Sequence, residues 1–493
     1  MTYAEMADRA VRIANALGDA PRVAILAGRT PTAFAGVLGA LIAGAAYVPL
    51  NVAFPRSRNQ LIVERSAAAA VIADAEGIAQ LPAILTDTVS DTVVVADDRE
   101  EPTGSIDSRH PVVSTKGAST LVPPPRTVDP NALAYLMFTS GSTGVPKGVA
   151  VSHTNVRAFI ERMTARYRLT PSDRVSQMFD LTFDLSVFDQ FMTWEAGACL
   201  VCPSRADLLN PAGFIRDNEL TVWFSVPSVA MFMRRLGSVT PGGLPTLRWS
   251  LFCGEPLPAE IAEAWRSAAH RSTVENLYGP TEVTIACTVY RWDDESSPRS
   301  CIHGIVPIGE PFAGLDVMVA DGSLREVPPA GEGELLVSGD QVTLGYWNDA
   351  ERTNAAFVTP PGKARTYYRT GDLVTRRSAD EPLCYLGRLD HQIKILGHRV
   401  ELLEIEVALR VASGRDSVAA IGWPRTGSGA AGVVAFVAGG GVDATRVRAL
   451  LASSLPFYMV PRQIRELPEL PLNSNGKVDR RALEALLEAG AGP

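Results

Sequence analysis

Leu133-Ala-Tyr-Leu-Met-Phe138, followed directly by Thr139-Ser-Gly-Ser-Thr-Gly-Val-Pro-Lys147-Gly148, is the stretch that decides the fold. The first six residues carry no charge and predict a buried β-strand. The next ten combine glycines, which allow close backbone approach, with hydroxyls and a lysine that can bind anionic oxygens. Pro146 stands where a Walker A loop needs glycine, so the loop is of another kind. The stretch predicts a polyphosphate site at the end of a strand; the alternative, a flexible connector, is disfavoured by its place directly after a buried strand.

Alternating strand-like and helix-like segments surround this stretch, which favours an α/β architecture with parallel sheet. Strands are predicted at 22–27, 46–50, 71–73 and 92–95, and helices at 31–44 and 57–67. Residues 97–131 are polar and proline-rich and predict a long surface connection.

A second break is predicted at 362–380, which is polar and rich in arginine, and the composition changes beyond Gly387. The remaining chain has its own predicted strands at 417–421 and 432–437 and helices at 404–411, 445–453 and 480–487. We therefore predict a domain boundary near residues 386–390, with one domain over 1–387 and a smaller one over 388–493.

The overall charge limits the classes of partner. The 493 residues contain 46 Lys and Arg against 54 Asp and Glu, a net charge of −8, which argues against a chain-wide attraction to nucleic acid. Acidic residues precede any apolar run, so no secretory signal peptide is expected. The 17-residue uncharged run from Phe34 to Leu50 contains three glycines, and it fits a buried helix that turns into a strand better than a membrane span.

Cysteine usage points to a reduced, cytoplasmic protein. The six cysteines are scattered, and only Cys199 and Cys202 have a spacing typical of metal ligands. They stand in an apolar stretch with no second pair, so we interpret them as part of a strand packed in a core, not as a metal site.

Eight further motifs follow one another along nearly the whole chain. In this order they resemble the adenylate-forming superfamily, and within it the adenylation domains of nonribosomal peptide synthetases and the D-alanine–carrier protein ligases. The motifs are Leu41-Ile-Ala-Gly-Ala-Ala-Tyr-Val-Pro49, Phe183-Asp-Leu-Ser186, Asn276-Leu-Tyr-Gly-Pro-Thr-Glu282, Gly333-Glu-Leu335, Tyr368-Arg-Thr-Gly-Asp-Leu373, Gly387-Arg-Leu-Asp390, Leu455-Pro-Phe-Tyr-Met-Val-Pro461 and Asn475-Gly-Lys-Val-Asp-Arg480.

The resemblance implies a large N-terminal domain of βα subdomains with a β-rich subdomain, and a small mobile α+β C-terminal domain that turns about a hinge at Asp390. A plain linker carboxylate is the alternative for Asp390. The implied reaction activates a carboxylate with ATP and Mg²⁺, and then transfers the acyl group to the phosphopantetheine thiol of a carrier protein.

The resemblance also assigns the nucleotide site. Glu282 is implied as the magnesium-linked carboxylate, Tyr278 as the residue stacked on adenine, and Asp372 as the acceptor of both ribose hydroxyls. Lys477 is implied as the catalytic lysine, which swings in from the small domain to bridge substrate carboxylate and phosphate. The complete set of implied ATP-binding residues is Thr139, Ser140, Gly141, Ser142, Thr143, Gly144, Lys147, Gly254, Glu255, Pro256, Asn276, Leu277, Tyr278, Gly279, Pro280, Thr281, Asp372, Tyr385 and Arg388.

Asp184 matches the family's partner for a substrate α-ammonium group, although an aspartate there could also cap a helix. A buried carboxylate at this place favours an amino acid over a fatty or aryl acid, which would leave it unpaired. The implied pocket has little room and no second charge, so we expect alanine first, then serine, cysteine or valine. Its residues are Asp184, Leu185, Phe188, Phe224, Leu251, Cys253, Leu277, Ile285 and Ala286, with Lys477.

Two positions depart from the family pattern: Asn51 replaces a common aspartate, and Leu403 replaces a glycine beside the start of a small-domain helix. The sequence thus predicts a monomeric, stand-alone amino acid ligase that loads a carrier protein in trans and binds neither nucleic acid nor membrane. The alternatives are an acyl-CoA ligase of the same superfamily, an adenylation domain cut from a larger synthetase, and an inactive interaction module.

Overall fold

The strand that decides the fold lies in a seven-stranded sheet. A computed structural model of the chain describes residues 1–85, 93–96, 112–115, 118–123, 128–141, 145–390, 392–426, 429–472 and 478–489. From edge to edge the first sheet contains Val112–Ser114, Val93–Ala96, Ala70–Ala73, Arg22–Leu26, Ala46–Leu50, Leu133–Thr139 and Lys147–Ser152. Its strands run parallel except for the last, which turns back through the glycine- and hydroxyl-rich loop and pairs antiparallel.

A second seven-stranded sheet follows in the chain. Its order is Glu310–Pro311, Thr288–Arg291, Thr273–Tyr278, Trp249–Phe252, Val222–Ser225, Arg174–Ser176 and Cys199–Val201. The five strands from Thr273–Tyr278 to Cys199–Val201 are parallel, and the other two are antiparallel. The predicted α/β architecture with parallel sheet is confirmed.

Helices connect and cover these two sheets. They are Tyr3–Leu17, Pro31–Ile42, Arg56–Ser66, Ala75–Ile78, Leu81–Ile84, His153–Tyr167, Leu185–Glu195, Arg205–Leu209, Pro211–Asp217, Pro227–Arg235, Ala259–Ala268 and Ser297–Ser300, with a 3₁₀ turn at Thr281–Val283. A further helix, Ala350–Ala356, contacts the strands Phe357–Val358 and Tyr367–Thr375. Local sequence sets their starts: Thr30 caps the second helix and Pro31 occupies its first turn. One hydrophobic core contains Ile25 of the first sheet, Leu251 of the second and Phe159 between them. It holds the ends of both sets of strands in fixed relation.

The third sheet is antiparallel. It contains Asp316–Ala320, Glu332–Ser338, Tyr367–Thr375 and Phe357–Val358, and Cys384–Arg388 also pairs with Tyr367–Thr375. The break predicted at 362–380 is therefore wrong, because a nine-residue strand runs through it. Burial alternates along the middle of this strand, where Arg369 is exposed and Asp372 is buried. The surface connection predicted at 97–131 is likewise wrong at Val112–Ser114, which forms an edge strand of the first sheet.

The C-terminal part has two sheets of its own. One contains His398–Glu401, Gln392–Ile395, Gly429–Ala430 and Arg425–Thr426, and the other contains Val418–Gly422, Val433–Ala438 and Gln463–Leu467. The helices Leu402–Ser413, Ala444–Ala452 and Arg480–Ala489 cover them. The third sheet ends at Arg388, one residue beyond the predicted division after Gly387, and the next sheet in the chain begins at Gln392; the domain division stays a prediction.

The apolar run at residues 34–50 and the cysteines also have defined places in the fold. The apolar run from residue 34 forms the buried helix Pro31–Ile42 and the strand Ala46–Leu50, as predicted. None of the helices in the described ranges has the length and apolar character needed to cross a bilayer. All six cysteines are free thiols, but Cys199 is exposed at the sheet edge, so the prediction that both cysteines of the pair lie in a core is wrong for this one.

Candidate active site

Loops at the ends of strands of the first two sheets, together with Asp372 and Arg388 on strands of the third, enclose one cavity, and the hairpin at residues 392–401 closes it from the C-terminal side. The loop after Leu133–Thr139, the loop after Trp249–Phe252 and the loop after Thr273–Tyr278 contribute side by side. The predicted residues that line this cavity are Thr139, Ser140, Asp184, Leu185, Cys253, Gly254, Tyr278, Gly279, Pro280, Thr281, Ile285, Asp372 and Arg388.

A smaller cavity adjoins it and shares Gly254, Tyr278, Gly279 and Lys394 with it. It is lined by the predicted adenine-site residues Glu255, Pro256, Asn276, Leu277 and Tyr385. Four predicted residues, Ser142, Thr143, Gly144 and Lys477, lie outside the described residues. Their assigned roles stay predictions.

Asp372 is held from two sides. We call its surroundings, Tyr278, Asp372 and Arg388, the ribose end of the cavity, after the role predicted for Asp372. The Tyr278 hydroxyl donates to one carboxylate oxygen of Asp372 at 2.5 Å, and Arg388 donates to the other at 2.9 Å. The same guanidinium binds both oxygens of Asp390, and it lowers the pKa of Asp390 although burial alone would raise it. Arg388 therefore ties the expected hinge aspartate to the ribose end.

We call a second cluster, Ser140, Gly141 and Glu282, the phosphate end after the role predicted for it; Ser140 lines the cavity, and Gly141 and Glu282 are not among its lining residues. The Glu282 carboxylate is fully buried and is bound by Lys147 at 2.9 Å, by both of its oxygens to Arg399 at 3.0 Å, and by the Tyr346 hydroxyl at 2.7 Å. Burial would raise the pKa of Glu282, but Arg399 and Lys147 outweigh it and hold the pKa well below its usual range. Glu282 is therefore an anion with two bound cations.

The sequence predicts that Lys147 contacts phosphate, but in the structure its ammonium group points to a buried carboxylate. It is bonded to Glu282 and to Tyr346. Burial, followed by the nearby Arg399 charge, lowers the pKa of Lys147 to about 8. In this arrangement its charge acts on the Glu282 carboxylate.

The other two members of the phosphate end are also bonded to the C-terminal part. The Ser140 hydroxyl donates to the carbonyl oxygen of Arg399 at 2.6 Å, and the Gly141 N–H donates to the Glu404 carboxylate at 3.3 Å. Glu404 forms a buried ion pair with Arg58 at 2.7 Å. Residues 399–404 thus place a cation on the buried carboxylate and an anion on the loop amide.

The tip of the hairpin requires glycine. Gly397 has φ of +80°, and a Cβ there would lie 2.4 Å from Cγ1 of Val226. Its N–H donates at 2.6 Å to Glu255, which also accepts from the Ser228 N–H at 2.8 Å. Glu255, predicted from the sequence as part of the adenine wall, therefore also anchors the hairpin.

Asp184 is a buried carboxylate at the cavity wall. It precedes the helix Leu185–Glu195, but its side chain makes no capping hydrogen bond, so the capping alternative has no support. Burial raises the pKa of Asp184 to about 7, and the neighbouring Glu282 adds to the rise while the Thr281 hydroxyl opposes it. A carboxylate in this state gains most from a cationic partner.

The other predicted pocket residues either line the cavity or belong to the hydrophobic core. Leu185, Cys253 and Ile285 reach the cavity, whereas Phe188 and Phe224 are fully buried with ring centroids 4.9 Å apart. Leu251, Leu277 and Ala286 are core residues as well. The space beside Asp184 is therefore shallow.

Sequence reasoning did not name Arg58, Tyr346, Arg399 or Glu404 as site residues. The sequence carries a partial signal for one of them: Glu404 directly follows Leu403, a position that departs from the family pattern. Arg58, Tyr346 and Arg399 lie outside the motifs. Tyr346 and Arg399 contact Glu282, while Glu404 contacts Gly141 and Arg58. Each of these contacts joins positions more than 60 residues apart. No local pattern specifies such pairs.

A family model, related protein sequences and solved structures all match this chain. A model of the AMP-binding enzyme family matches residues 1–347. The L-proline–[L-prolyl-carrier protein] ligase of Streptomyces coelicolor is 35% identical over 512 residues, covering 98% of this chain and 91% of that protein. The Vibrio cholerae adenylation domain AlmE, solved in complex with glycyl-adenosine-5'-phosphate, has a TM-score of 0.90 and 34% identity, and the match covers 99% of this chain and 93% of that one.

Other relatives are much longer than this chain. Tyrocidine synthase 2 of Brevibacillus parabrevis is 32% identical over 493 residues, which covers 98% of this chain and 13% of that protein. For two further peptide synthases, the chain spans 6% of the length of each.

Proposed function

The chain belongs to the AMP-binding enzyme family, and from that premise we propose that it activates a small amino acid with ATP and transfers it to a carrier protein. In the first step a carboxylate oxygen of the amino acid attacks the α-phosphorus of ATP, the bond to the bridging oxygen breaks, and pyrophosphate leaves. In the second step the phosphopantetheine thiolate of the carrier attacks the acyl carbon, a thioester forms and AMP leaves.

One observation carries the proposal for an amino acid: the buried Asp184 carboxylate faces the cavity without a cation beside it strong enough to lower its pKa. An α-ammonium group would supply that charge, whereas a fatty or aryl acid would leave the carboxylate unpaired. The same argument counts against the alternative of an acyl-CoA ligase.

The shallow space beside Asp184 supports a small side chain, with alanine first. Leu185, Cys253 and Ile285 leave no depth for a long side chain, and the phenylalanines behind them are fully buried. The glycyl adenylate in the similar AlmE structure belongs to that protein, and it is compatible with a site of this size. Serine, cysteine and valine follow alanine in our ranking.

The nucleotide would lie between the ribose end and the phosphate end. Asp372 keeps a free lone pair on each oxygen for the ribose hydroxyls, and Tyr278 forms the wall shared by the two cavities. No group of three His, Cys, Asp or Glu that could hold a metal occurs among the described residues. A single carboxylate, Glu282, would fit Mg²⁺ once Arg399 has left it with the turn of the small domain, because Mg²⁺ commonly takes one protein carboxylate and fills its shell with phosphate oxygens and water. When bound there, the ion would neutralise charge on the phosphates.

We assign the small domain, residues 388–493, two positions about a hinge at Asp390. In the position described here Arg399 and Glu404 occupy the phosphate end, which suits the transfer step after pyrophosphate has left. For adenylation the small domain would turn, free Glu282 and Gly141, and bring Lys477 to the substrate carboxylate. A mobile ammonium group with three donors is suited to bridging carboxylate and phosphate.

Amino-acid-dependent exchange of pyrophosphate into ATP tests the proposal directly. We expect the highest exchange with alanine among the common amino acids in both configurations, and much lower exchange with aryl or fatty acids. Activity with free coenzyme A and no carrier would instead support the acyl-CoA ligase. Loading of a separately expressed carrier domain, together with a monomeric mass in solution, would test whether the chain acts alone and in trans.

A further inference from the structure

The turn that carries Ile285 into the cavity has an unusual backbone. Thr284 and Ile285 are consecutive β-branched residues with φ of +55° and +76°. Such residues avoid the left-handed region because Cβ crowds the backbone. A turn of this kind persists only where surrounding contacts hold it, and residues so held cluster at functional sites.

Gln341 supplies most of those contacts from a different element, the segment after the strand Glu332–Ser338. The side chain is fully buried, and its amide nitrogen donates to the carbonyl of Ala286 at 2.8 Å and lies 3.3 and 3.4 Å from those of Val283 and Thr284. In return, the Thr284 hydroxyl donates to the Gln341 carbonyl at 2.6 Å. The glutamine thus binds every residue of the turn except the one that faces the cavity.

The clamped turn joins two parts of the site. Glu282, at the phosphate end, precedes it by one residue, and its carbonyl accepts from the Thr343 N–H at 3.0 Å. Ile285 forms one wall of the shallow pocket with Leu185 and Cys253. If the turn relaxed to ordinary φ values, the Ile285 side chain would leave this wall, while the Thr343 bond would still hold Glu282.

We propose that Gln341 is a positioning residue for amino-acid selection: its amide holds the 283–286 turn in the left-handed conformation, and Ile285 thereby limits the pocket to small side chains. The assignment deepens the proposed function and rests on it. Gln341 touches neither substrate, and its effect is exerted through Ile285.

The test is the ratio of kcat/KM for valine to kcat/KM for alanine in pyrophosphate exchange. Gln341→Met keeps the side-chain length and removes the amide donors, so the turn loses its clamp. We expect this ratio to rise about tenfold, the scale on which one or two methylene groups are discriminated in an apolar pocket. The KM for ATP should stay within about twofold. An unchanged ratio in a folded Gln341→Met protein would overturn the assignment.

A double-mutant cycle separates positioning from general destabilisation. Glycine adopts positive φ without strain, so Ile285→Gly needs no clamp. Adding Gln341→Met to Ile285→Gly should change the ratio by less than about twofold, and a larger further change would contradict the mechanism. Asp340→Asn is the matched control, because this neighbouring carboxylate binds Arg162 near the surface and does not contact the turn.

The cycle also covers a Gln341→Met protein that does not fold. In that case the cycle is extended by Thr284→Gly: the triple variant Thr284→Gly/Ile285→Gly/Gln341→Met should fold, since both strained residues are then glycine, and its failure to fold would overturn the assignment. The proposed function is tested separately: if the wild-type protein shows no amino-acid-dependent exchange, that function is wrong, whatever the effect of Gln341.

Discussion

The ribose end and the phosphate end differ in which part of the chain supplies the hydrogen-bond partners of their carboxylates and amides. At the ribose end, Asp372 is bound by Tyr278 and Arg388, which belong to the second and third sheets. At the phosphate end, Glu282 and Gly141 are bound by Arg399 and Glu404 of the C-terminal part. The ribose end therefore takes one partner, Arg388, from the first position of the predicted small domain, whereas at the phosphate end a polyphosphate would have to displace charged groups of the C-terminal part.

The largest effect should come from Lys477, which reaches the phosphate end only after the proposed turn of the small domain. Lys477→Ala should lower alanine-dependent pyrophosphate exchange by about 1000-fold, because preorganised charge at the reacting phosphate is lost. Transfer from synthetic alanyl-AMP to the carrier should change by less than about threefold. The control is Lys363→Ala, a lysine in a surface ion pair with Glu326. A pyrophosphate exchange rate within tenfold of the wild-type rate would show that Lys477 is not the catalytic lysine of adenylation.

The next largest effect is expected from Asp372 at the ribose end, and it should not depend on the position of the small domain. Asp372→Ala removes a charged acceptor and leaves Arg388 with one carboxylate partner fewer, so the KM for ATP should rise about 100-fold. Exchange and carrier loading should suffer alike. Asp316 offers a matched control, since it accepts a tyrosine hydroxyl bond from Tyr367 in the same sheet, away from the site. A KM that is unchanged in Asp372→Ala would show that the ribose lies elsewhere.

Sequence reasoning reached the ribose end more fully than the phosphate end, and the reason is physical. Tyr278 and Asp372 each stand in a motif whose residues act together within one turn or strand, so a local pattern carries their role. Arg399 and Glu404 act on Glu282 and Gly141 across more than 100 residues, and only domain docking brings them there. In the fold, the buried parallel strands were predictable from uncharged runs, but Tyr367–Thr375 was missed because its exposed face is polar.

The pH dependence of amino acid binding should be intermediate in size. Since the pKa of Asp184 is raised to about 7, the carboxyl is protonated below that pH and loses its attraction for an ammonium group. The KM for alanine should rise about tenfold for each pH unit below 7, while the KM for ATP stays nearly constant. Asp184→Asn should show a high KM with no such slope. A wild-type KM for alanine that is flat from pH 5.5 to 7.5 would contradict this role.

The smallest effect is expected from the buried ion pair between Arg58 and Glu404, next to the phosphate end. Arg58→Met leaves Glu404 without its buried partner only while the small domain is docked, so docking should weaken. We expect carrier loading to fall about tenfold and pyrophosphate exchange to change by less than threefold. Arg425→Met is the control, because its pair with Glu484 is exposed and contributes little. Equal losses in both reactions would show that the ion pair does not distinguish the two domain positions.

Trapping of the acyl adenylate with hydroxylamine tests the central claim most directly. The protein would be incubated with ATP, Mg²⁺, hydroxylamine and an equimolar mixture of the common amino acids, benzoate and octanoate, and the hydroxamates would be identified by mass spectrometry. We predict alanine hydroxamate as the main product, with those of other small amino acids below it. A main product from benzoate, octanoate or a large amino acid, or no hydroxamate at all, would contradict the proposed activity.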